Sequence, residues 1–301
     1  QLVADVPPGD VDQFEFRGAQ FDRGLALVQF PVGLGGLGLS SRRMQTVVDA
    51  ELRAAGVTYH DLNINPIGIG MGAPVVLTYA TEDQKKRLLR PMYTGEEIWC
   101  QMFSEPGSGS DLASLQTRAV LDGDEYVING SKTWTSFAHL SDWIFCLVRT
   151  DPDAPKHDGI SFILFDMKSK GVEAKPIQLI SGSSQFCETF FDDVRALREN
   201  LVGEVNKGWP IAKRLLQHER NMVAGMGTQG APKNPEHSIE NQAKKYVGEM
   251  EGKIANLDLR DKITRHKMNA KVFSLTLRRS ALEARTSSVP SPASSMFKYY
   301  G

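Results

Sequence analysis

The chain of 301 residues has few cysteines and no histidine spacing typical of a metal site. Its cysteines are Cys100, Cys146 and Cys187. They lie far apart, and none is part of a C-x-x-C pair, which excludes a disulfide framework and is typical of free thiols in a reducing compartment. The pair His218-Glu219 begins like the zinc motif H-E-x-x-H, but Met222 occupies the place of the second histidine. We therefore expect no metal ion.

An excess of charge and a long apolar run are missing as well. The formal net charge is −1, which gives no overall basic field for nucleic acid or an acidic membrane. No apolar run reaches the roughly 18 residues of a membrane-spanning helix, and the N-terminus has no signal-peptide pattern. With 41% hydrophobic residues the chain can bury a core in two or three domains. We expect a soluble protein of the cytoplasm, or of an organelle matrix in a eukaryote, with no nucleic-acid or membrane partner.

The stretch "VGLGGLGLSS" contains a dinucleotide-binding pattern, G-x-G-x-x-G, at Gly33, Gly35 and Gly38. That fingerprint requires a strand before the glycines and a helix that starts inside them. Here Pro31 separates the glycines from the preceding apolar run, and the helical pattern begins only after the two serines that follow. A glycine-rich connection between helices is the favoured interpretation.

The first hundred residues are predicted to be helices and loops. The clearest helix is "ATEDQKKRLLRPMYTGEE", in which Thr81 and Gln84 form a capping box at the start. Pro91 and Gly95 are expected to close it.

From about residue 103 to 206 the pattern changes to short β-rich runs. Asp122-Gly123 predicts a hairpin, and Asn129-Gly130 predicts a second turn. Further strand-like runs are "DWIFCLVRT", "ISFILFD" and "ETFFDDV". Many short strands favour an antiparallel barrel or sandwich over a parallel sheet. After Gly208 the pattern returns to amphipathic helix.

The helix that begins near Pro210 places an acid among apolar side chains. On a helical wheel, six apolar residues fall within an arc of about 140° around Glu219. They are Ala212, Leu215, Leu216, Met222, Val223 and Met226. A carboxyl group that loses hydration is suited to act as a base near neutral pH. A core-facing Glu219 paired with a partner from another helix is the alternative, and Arg220 points about 100° away, where it could line a neighbouring wall.

Several segments together resemble the acyl-CoA dehydrogenase family. "MFSEPGSGSDLASLQTRAVLDGDEYVINGSKTWTS" is similar to that family's central signature. "TEDQKKRLLRPMYTGE" resembles its N-terminal domain, and "FFDDVRALRENLVGEVNKGW" the segment after the signature. By itself the loop "SEPGSGSD" could hold a phosphate or a polar ring, or be an ordinary loop. In the family, "PVGLGGLGLSS" corresponds to a turn leading into a helix of the N-terminal domain, and not to a nucleotide site.

The resemblance implies an α+β fold of three domains. These are a helical N-terminal domain (1–102), an antiparallel β-barrel middle domain (103–206) and a helical C-terminal bundle (207–301). Family members continue beyond "KYYG", so we expect this bundle to be incomplete. The family's R-x-x-F-G motif is not found. That absence, with a Glu at position 219, is similar to bacterial members that oxidise bulky thioesters such as steroid side chains, some of them heteromeric.

The resemblance also implies FAD, bound between the middle and C-terminal domains with the acyl-CoA beside it. The cofactor-binding residues implied are Met102, Phe103, Ser104, Gly109, Ser110, Trp134, Thr135 and Ser136. Substrate contacts are implied for Ser110, Leu216 and Arg220. Glu219, supported by Arg220, would remove the α-proton while the β-hydrogen passes to the flavin as hydride, which yields a trans-2-enoyl-CoA.

The implied partners are an acyl-CoA, an electron-transferring flavoprotein as electron acceptor, and further subunits of a homo- or hetero-oligomer, a dimer or a tetramer. Two other functions stay open. The chain could be a non-catalytic subunit that completes a shared FAD site in a heteromer, or a flavin oxidase or monooxygenase on the same fold.

Overall fold

The structure, a computed structural model, describes residues 1–41, 43–57, 64–228, 236, 238–283 and 296. Its helices before residue 95 are α1 (Leu2–Asp5), α2 (Gln13–Asp22), α3 (Arg43–Ala54), α4 (Ala73–Tyr79) and α5 (Glu82–Thr94). A π-helical turn, Gly68–Gly72, leads directly into α4. The buried Arg17 of α2 joins this helix to the end of α5, because its Nε donates to the Tyr93 and Thr94 carbonyl oxygens at 3.0 and 3.1 Å.

Helix α5 begins as predicted and ends as predicted at Gly95, but not at Pro91. The Thr81 hydroxyl accepts from the Gln84 N–H, and the Gln84 side chain accepts from the Thr81 N–H, so the capping box is confirmed. Gly95 follows the last turn in a left-handed conformation. The prediction that Pro91 helps to close the helix is wrong, since the helix continues to Thr94. The buried face of the last turn compensates for the one hydrogen bond that proline removes.

The glycine-rich stretch connects α2 to α3 without forming a strand or a helix. Gly33, Gly35 and Gly38 have φ angles of 83°, 87° and 68°, values that L side chains rarely adopt. A Cβ at the neighbouring Gly36 would lie 2.1 Å from the Phe30 carbonyl oxygen. The glycines therefore serve a tight crossing of the backbone, as the family resemblance implies.

Eight strands form one mixed sheet. They are β1 (Trp99–Met102), β2 (Arg118–Asp122), β3 (Glu125–Ser136), β4 (Trp143–Arg149), β5 (Ile160–Asp166), β6 (Val172–Ile177), β7 (Phe186–Leu197) and β8 (Leu201–Val202). Their order is β6-β7-β3-β2-β4-β5-β8, and β1 also pairs with β4. One face buries an apolar cluster that includes Met102, Ile128, Cys146 and Phe165.

The predicted three-part α+β architecture is confirmed, and the predicted antiparallel barrel needs a correction. Strands β1 and β2 both run parallel to β4, and in the described residues the end strands β6 and β8 do not pair with each other, so the sheet stays open. The terminal β8 has only two residues, which is too short to close a barrel.

The two predicted turns of this region differ in outcome. Asp122 pairs with Glu125 across the hairpin of β2 and β3, with Gly123 at a φ of 64°, so the first turn is confirmed. The turn predicted at Asn129-Gly130 is wrong, because β3 runs through it. The register shift beside it places two β7 residues, Asp192 and Asp193, opposite Asn129, so the extra residue of the bulge lies on β7. Asn129 and Asp193 bond reciprocally across this bulge, at 2.8 and 3.0 Å.

The chain divides into two compact units, 1–219 and 220–301, and helix α6 (Gly208–Thr228) starts in the first. The second unit contains α7 (Ile239–Val247), the short pair β9 (Glu249–Met250) and β10 (Lys253–Ile254), and α8 (Leu257–Glu283). Its small core consists of Ala243, Ile254 and Ile263. Across the described part of the chain, every helix is too short or too polar to cross a bilayer. The domain boundaries at 102/103 and 206/207 stay predictions.

Candidate functional site

A buried ion pair fixes the loop 104–111 to strand β3. Lys132 Nζ lies 2.9 Å from Glu105 Oε1, and their side chains are 0% and 8% exposed. Lys132 Nζ also donates to the Phe103 carbonyl oxygen at 3.1 Å. The Glu105 carboxylate further accepts from the Gln116 and Thr117 N–H groups at 2.6 and 2.9 Å. The pair thus ties three stretches of backbone together at the root of the loop.

The charge state of Glu105 follows from two opposing effects. Burial by itself raises the pKa of this carboxyl, but the Lys132 charge and the hydrogen bonds to Lys132, Thr117 and Gln116 outweigh it. The pKa of Glu105 therefore lies below its ordinary value of 4.5, and the carboxylate is ionised at neutral pH.

Beyond Glu105 the loop presents backbone to open space. The half-buried Ser104 accepts through its carbonyl oxygen from the Thr133 N–H at 2.9 Å. Gly109 and Ser110 are exposed. A Cβ at Gly109 would meet no atom of the described chain within 4 Å, so packing within the described chain does not demand glycine there. An unobstructed backbone of this kind leaves room for a ligand to approach its N–H groups.

The end of β3 turns one aromatic ring outward. Trp134 has a φ of 59°, is 58% exposed, and contacts the Phe186 ring edge-on at 6.1 Å. A left-handed conformation is costly for a bulky residue and is concentrated at functional sites. Thr135 is 1% exposed, and its hydroxyl has no hydrogen-bond partner in the described residues, while Ser136 is half-buried. The strand therefore offers a flat ring to a ligand, and the buried hydroxyl group beside it lacks a hydrogen-bond partner in the described residues.

The predicted site residues before the loop have buried side chains. Met102 is 0% exposed, and Phe103, 4% exposed, packs edge-on against Phe162 at 6.2 Å. The ring of Phe103 belongs to the core, so the side chains of these two predicted residues serve packing in the described structure.

Helix α6 carries the predicted acid. Its Ile211, Ala212 and Leu215 are buried, and Leu216 and Glu219 are half-buried. Glu219 Oε2 accepts a hydrogen bond from the side-chain amide of Gln101, with Nε2 at 3.4 Å. The partner is therefore a neutral amide on strand β1, whereas the alternative interpretation expects a group on another helix. Arg220 is exposed and is assigned to the second unit, and the side chains of Val223 and Met226 lie outside the described residues.

Gln101, Glu105 and Lys132 are site residues that the sequence interpretation missed. The burial of Lys132 could have been predicted from the sequence. Every second residue of β3 faces inward, as the buried Tyr126 and Ile128 do, and Lys132 continues this alternation. A lysine on a buried face requires a carboxylate partner, and the quoted loop contains one. The bond from Gln101 joins a strand and a helix 118 positions apart, and no local pattern reports it.

We expect Cys100 and Cys146 to resist alkylation in the folded protein. Burial raises the pKa of each of these thiols to about 12, so almost none of the reactive thiolate is present at pH 8. The measurement is peptide mapping after iodoacetamide treatment, with a urea-unfolded sample as control. Labelling of either cysteine at the unfolded rate under native conditions would contradict the burial of the β1–β4 region.

Two family models match the chain. "Acyl-CoA dehydrogenase, N-terminal domain" matches residues 10–96, and "Acyl-CoA dehydrogenase, middle domain" matches residues 100–194. The chain is 40% identical over 280 residues to acyl-CoA dehydrogenase FadE34 of Mycobacterium tuberculosis. This match covers 93% of this chain and 37% of that protein. The chain spans 37% to 58% of the length of five curated relatives that it matches.

The chain is also similar to several solved structures. The "Tcur3481-Tcur3483 steroid ACAD" is 38% identical with a TM-score of 0.58, and the match covers 71% of this chain and 54% of that one. The ChsE4-ChsE5 complex from Mycobacterium tuberculosis is 28% identical with a TM-score of 0.67, and the match covers 97% of this chain and 73% of that one.

Proposed function

The chain belongs to the acyl-CoA dehydrogenase family, and from that premise we propose that it catalyses the FAD-dependent dehydrogenation of an acyl-CoA to a trans-2-enoyl-CoA. One observation carries the proposal. Glu219 contacts Gln101 on strand β1. Gln101 lies two residues before Phe103, and the loop 104–111 follows directly after Phe103. An acid is thus held beside the segment that we expect to contact the flavin.

The described residues fit a flavin dinucleotide. The exposed ring of Trp134 suits packing against a flat aromatic system, and the unpartnered hydroxyl of Thr135 suits a polar edge. The open backbone at Gly109 and the hydroxyl of Ser110 suit a phosphate or the CoA chain. When bound, FAD supplies the acceptor for a hydride.

The reaction needs a base that removes the α-proton, and a side chain of this protein must supply it. We propose that the Glu219 carboxylate takes the proton from the α-carbon while the β-hydrogen leaves with its electron pair for the flavin. The electrons of the broken α C–H bond then form the new double bond. Leu216, one helical turn before Arg220 on α6, and Arg220 itself are proposed to contact the thioester substrate. Arg220 also supports Glu219 in this proposal.

A bulky acyl group is the proposed substrate class. The support is the similarity to a structure described as a steroid ACAD. An electron-transferring flavoprotein is the proposed electron acceptor, on the resemblance to the family. Similarity to the two-component ChsE4-ChsE5 complex favours one alternative, in which this chain is one subunit of a heteromer and holds FAD only with its partner.

The experiment that tests the function uses the complete protein. We expect a yellow protein that releases FAD on denaturation, and whose flavin absorbance bleaches under anaerobic conditions with a bulky acyl-CoA. A colourless protein that gains flavin only with a second polypeptide would support the heteromer. A flavin that stays oxidised with every acyl-CoA of a panel would contradict the proposal.

A further inference from the structure

Gln101 contacts the proposed base directly. The bond from Gln101 Nε2 to Glu219 Oε2 measures 3.4 Å. An ionised carboxylate can only accept hydrogen bonds, so the NH2 group of the amide and not its oxygen must face Glu219. The bond therefore orients the carboxylate without adding a charge beside it.

The backbone that carries Gln101 is rigid. Its neighbours Cys100 and Met102 are both 0% exposed, and Gln101 pairs with Phe145 in the parallel ladder of β1 and β4. Because side chains alternate along a strand, Gln101 points away from the face on which these neighbours are buried. A group on such a strand holds its partner more reproducibly than a group on a loop.

The oxygen of the Gln101 amide accepts no hydrogen bond from the described part of the chain. Gln101 Oε1 is buried and has no hydrogen-bond partner in the described residues. A buried acceptor without a donor is unfavourable, and a glutamine that served packing alone would be replaced by an apolar side chain at no cost. The amide is therefore suited to work at a site rather than in a core.

We propose that Gln101 is a positioning residue that holds the Glu219 carboxylate toward the α-carbon of the acyl-CoA. The inference rests on the proposed function and extends it to a second side chain. Gln101 takes no proton itself. Its N–H fixes one carboxylate oxygen, so that the other oxygen is free to receive the α-proton.

The test isolates proton removal from oxidation. An acyl-CoA without β-hydrogens, 3,3-dimethylbutanoyl-CoA, can lose an α-proton but cannot be dehydrogenated. The FAD-loaded complete protein is incubated with it in D2O, and α-deuterium uptake is followed by mass spectrometry. For Gln101→Leu we expect exchange to slow by about tenfold to a hundredfold, as for loss of a hydrogen bond to a charged group. The KM for an oxidisable acyl-CoA and the flavin content should change less than about threefold.

Two further variants keep the result interpretable. Gln101→Asn retains the amide but shortens its reach, and it should slow exchange without unfolding the strand. Cys100→Ala removes a buried neighbour on the opposite face, and it should lower the melting temperature while the exchange rate stays at the wild-type value. Wild-type exchange in both Gln101 variants would overturn the inference. A wild-type protein that neither exchanges nor oxidises any acyl-CoA would instead contradict the proposed function.

Discussion

Replacing Glu219 by Gln is expected to slow anaerobic flavin bleaching by an acyl-CoA by about a hundredfold to ten-thousandfold, the usual contribution of a general base. Glutamine keeps the shape of the side chain and can still bond to Gln101, but it cannot take a proton. The variant should fold and retain its flavin, because a half-buried glutamate without a charged partner in the described residues contributes little that glutamine would lose. Stopped-flow absorbance of the complete protein measures the effect.

A matched control shows whether slower bleaching comes from the loss of the proposed base or from the loss of any negative charge. Glu204→Gln removes an exposed carboxylate shortly before α6 and should bleach at the wild-type rate. Bleaching at the wild-type rate in the Glu219 variant would remove this residue from the role of base. The base would then lie elsewhere, and the helical-wheel argument for Glu219 would describe packing alone.

Replacing Lys132 by Met is expected to lower the free energy of unfolding by about 3 to 5 kcal/mol, the typical cost of leaving one member of a buried ion pair without its partner. Methionine fills a similar volume, so the loss would come from the uncompensated Glu105 carboxylate. Urea unfolding at pH 7 measures it. The variant should also lose flavin, since the loop 104–111 is tied down at Glu105.

The lowered pKa of Glu105 determines how this loss of stability depends on pH. The lowered pKa of Glu105 stabilises the fold above the ordinary value of 4.5, and that stability is lost as pH falls through the folded-state pKa. The difference between wild type and Lys132→Met should therefore shrink as the pH falls below 4.5, where the wild-type Glu105 carboxylate becomes protonated and its ion pair with Lys132 is lost. The exposed pair of Lys156 and Asp111 offers a control, because solvent screens it and Lys156→Met should leave the urea midpoint close to the wild-type value. A wild-type stability in Lys132→Met would contradict the account of the loop.

Local chemistry explains which elements the sequence could predict. The capping box of Thr81 and the hairpin at Gly123 each depend on residues within a few positions of one another, so their patterns are readable. Asn129-Gly130 has the same local chemistry as a turn, but long-range pairing of β3 with β7 keeps the chain extended there. Pro91 stays helical because tertiary burial outweighs one lost hydrogen bond.

The same distinction between local patterns and long-range contacts applies to the residues of the candidate site. Glu219 could be proposed from the sequence because its apolar neighbours recur on one helix face, and the family resemblance indicates the same position, but its role as base stays a prediction. Gln101 was not predictable, because its bond to Glu219 depends on how β1 meets α6. Met102 and Phe103 are consecutive and both buried, which alternation along a single strand does not predict, so only the fold shows that both side chains serve packing.

The most direct test of the account is a single anaerobic turnover of the FAD-loaded complete protein with a bulky acyl-CoA. The account predicts that each flavin that bleaches yields one trans-2-enoyl-CoA, and that Glu219→Gln suppresses both to the same extent. A chain that binds flavin and acyl-CoA yet yields no enoyl-CoA would contradict it.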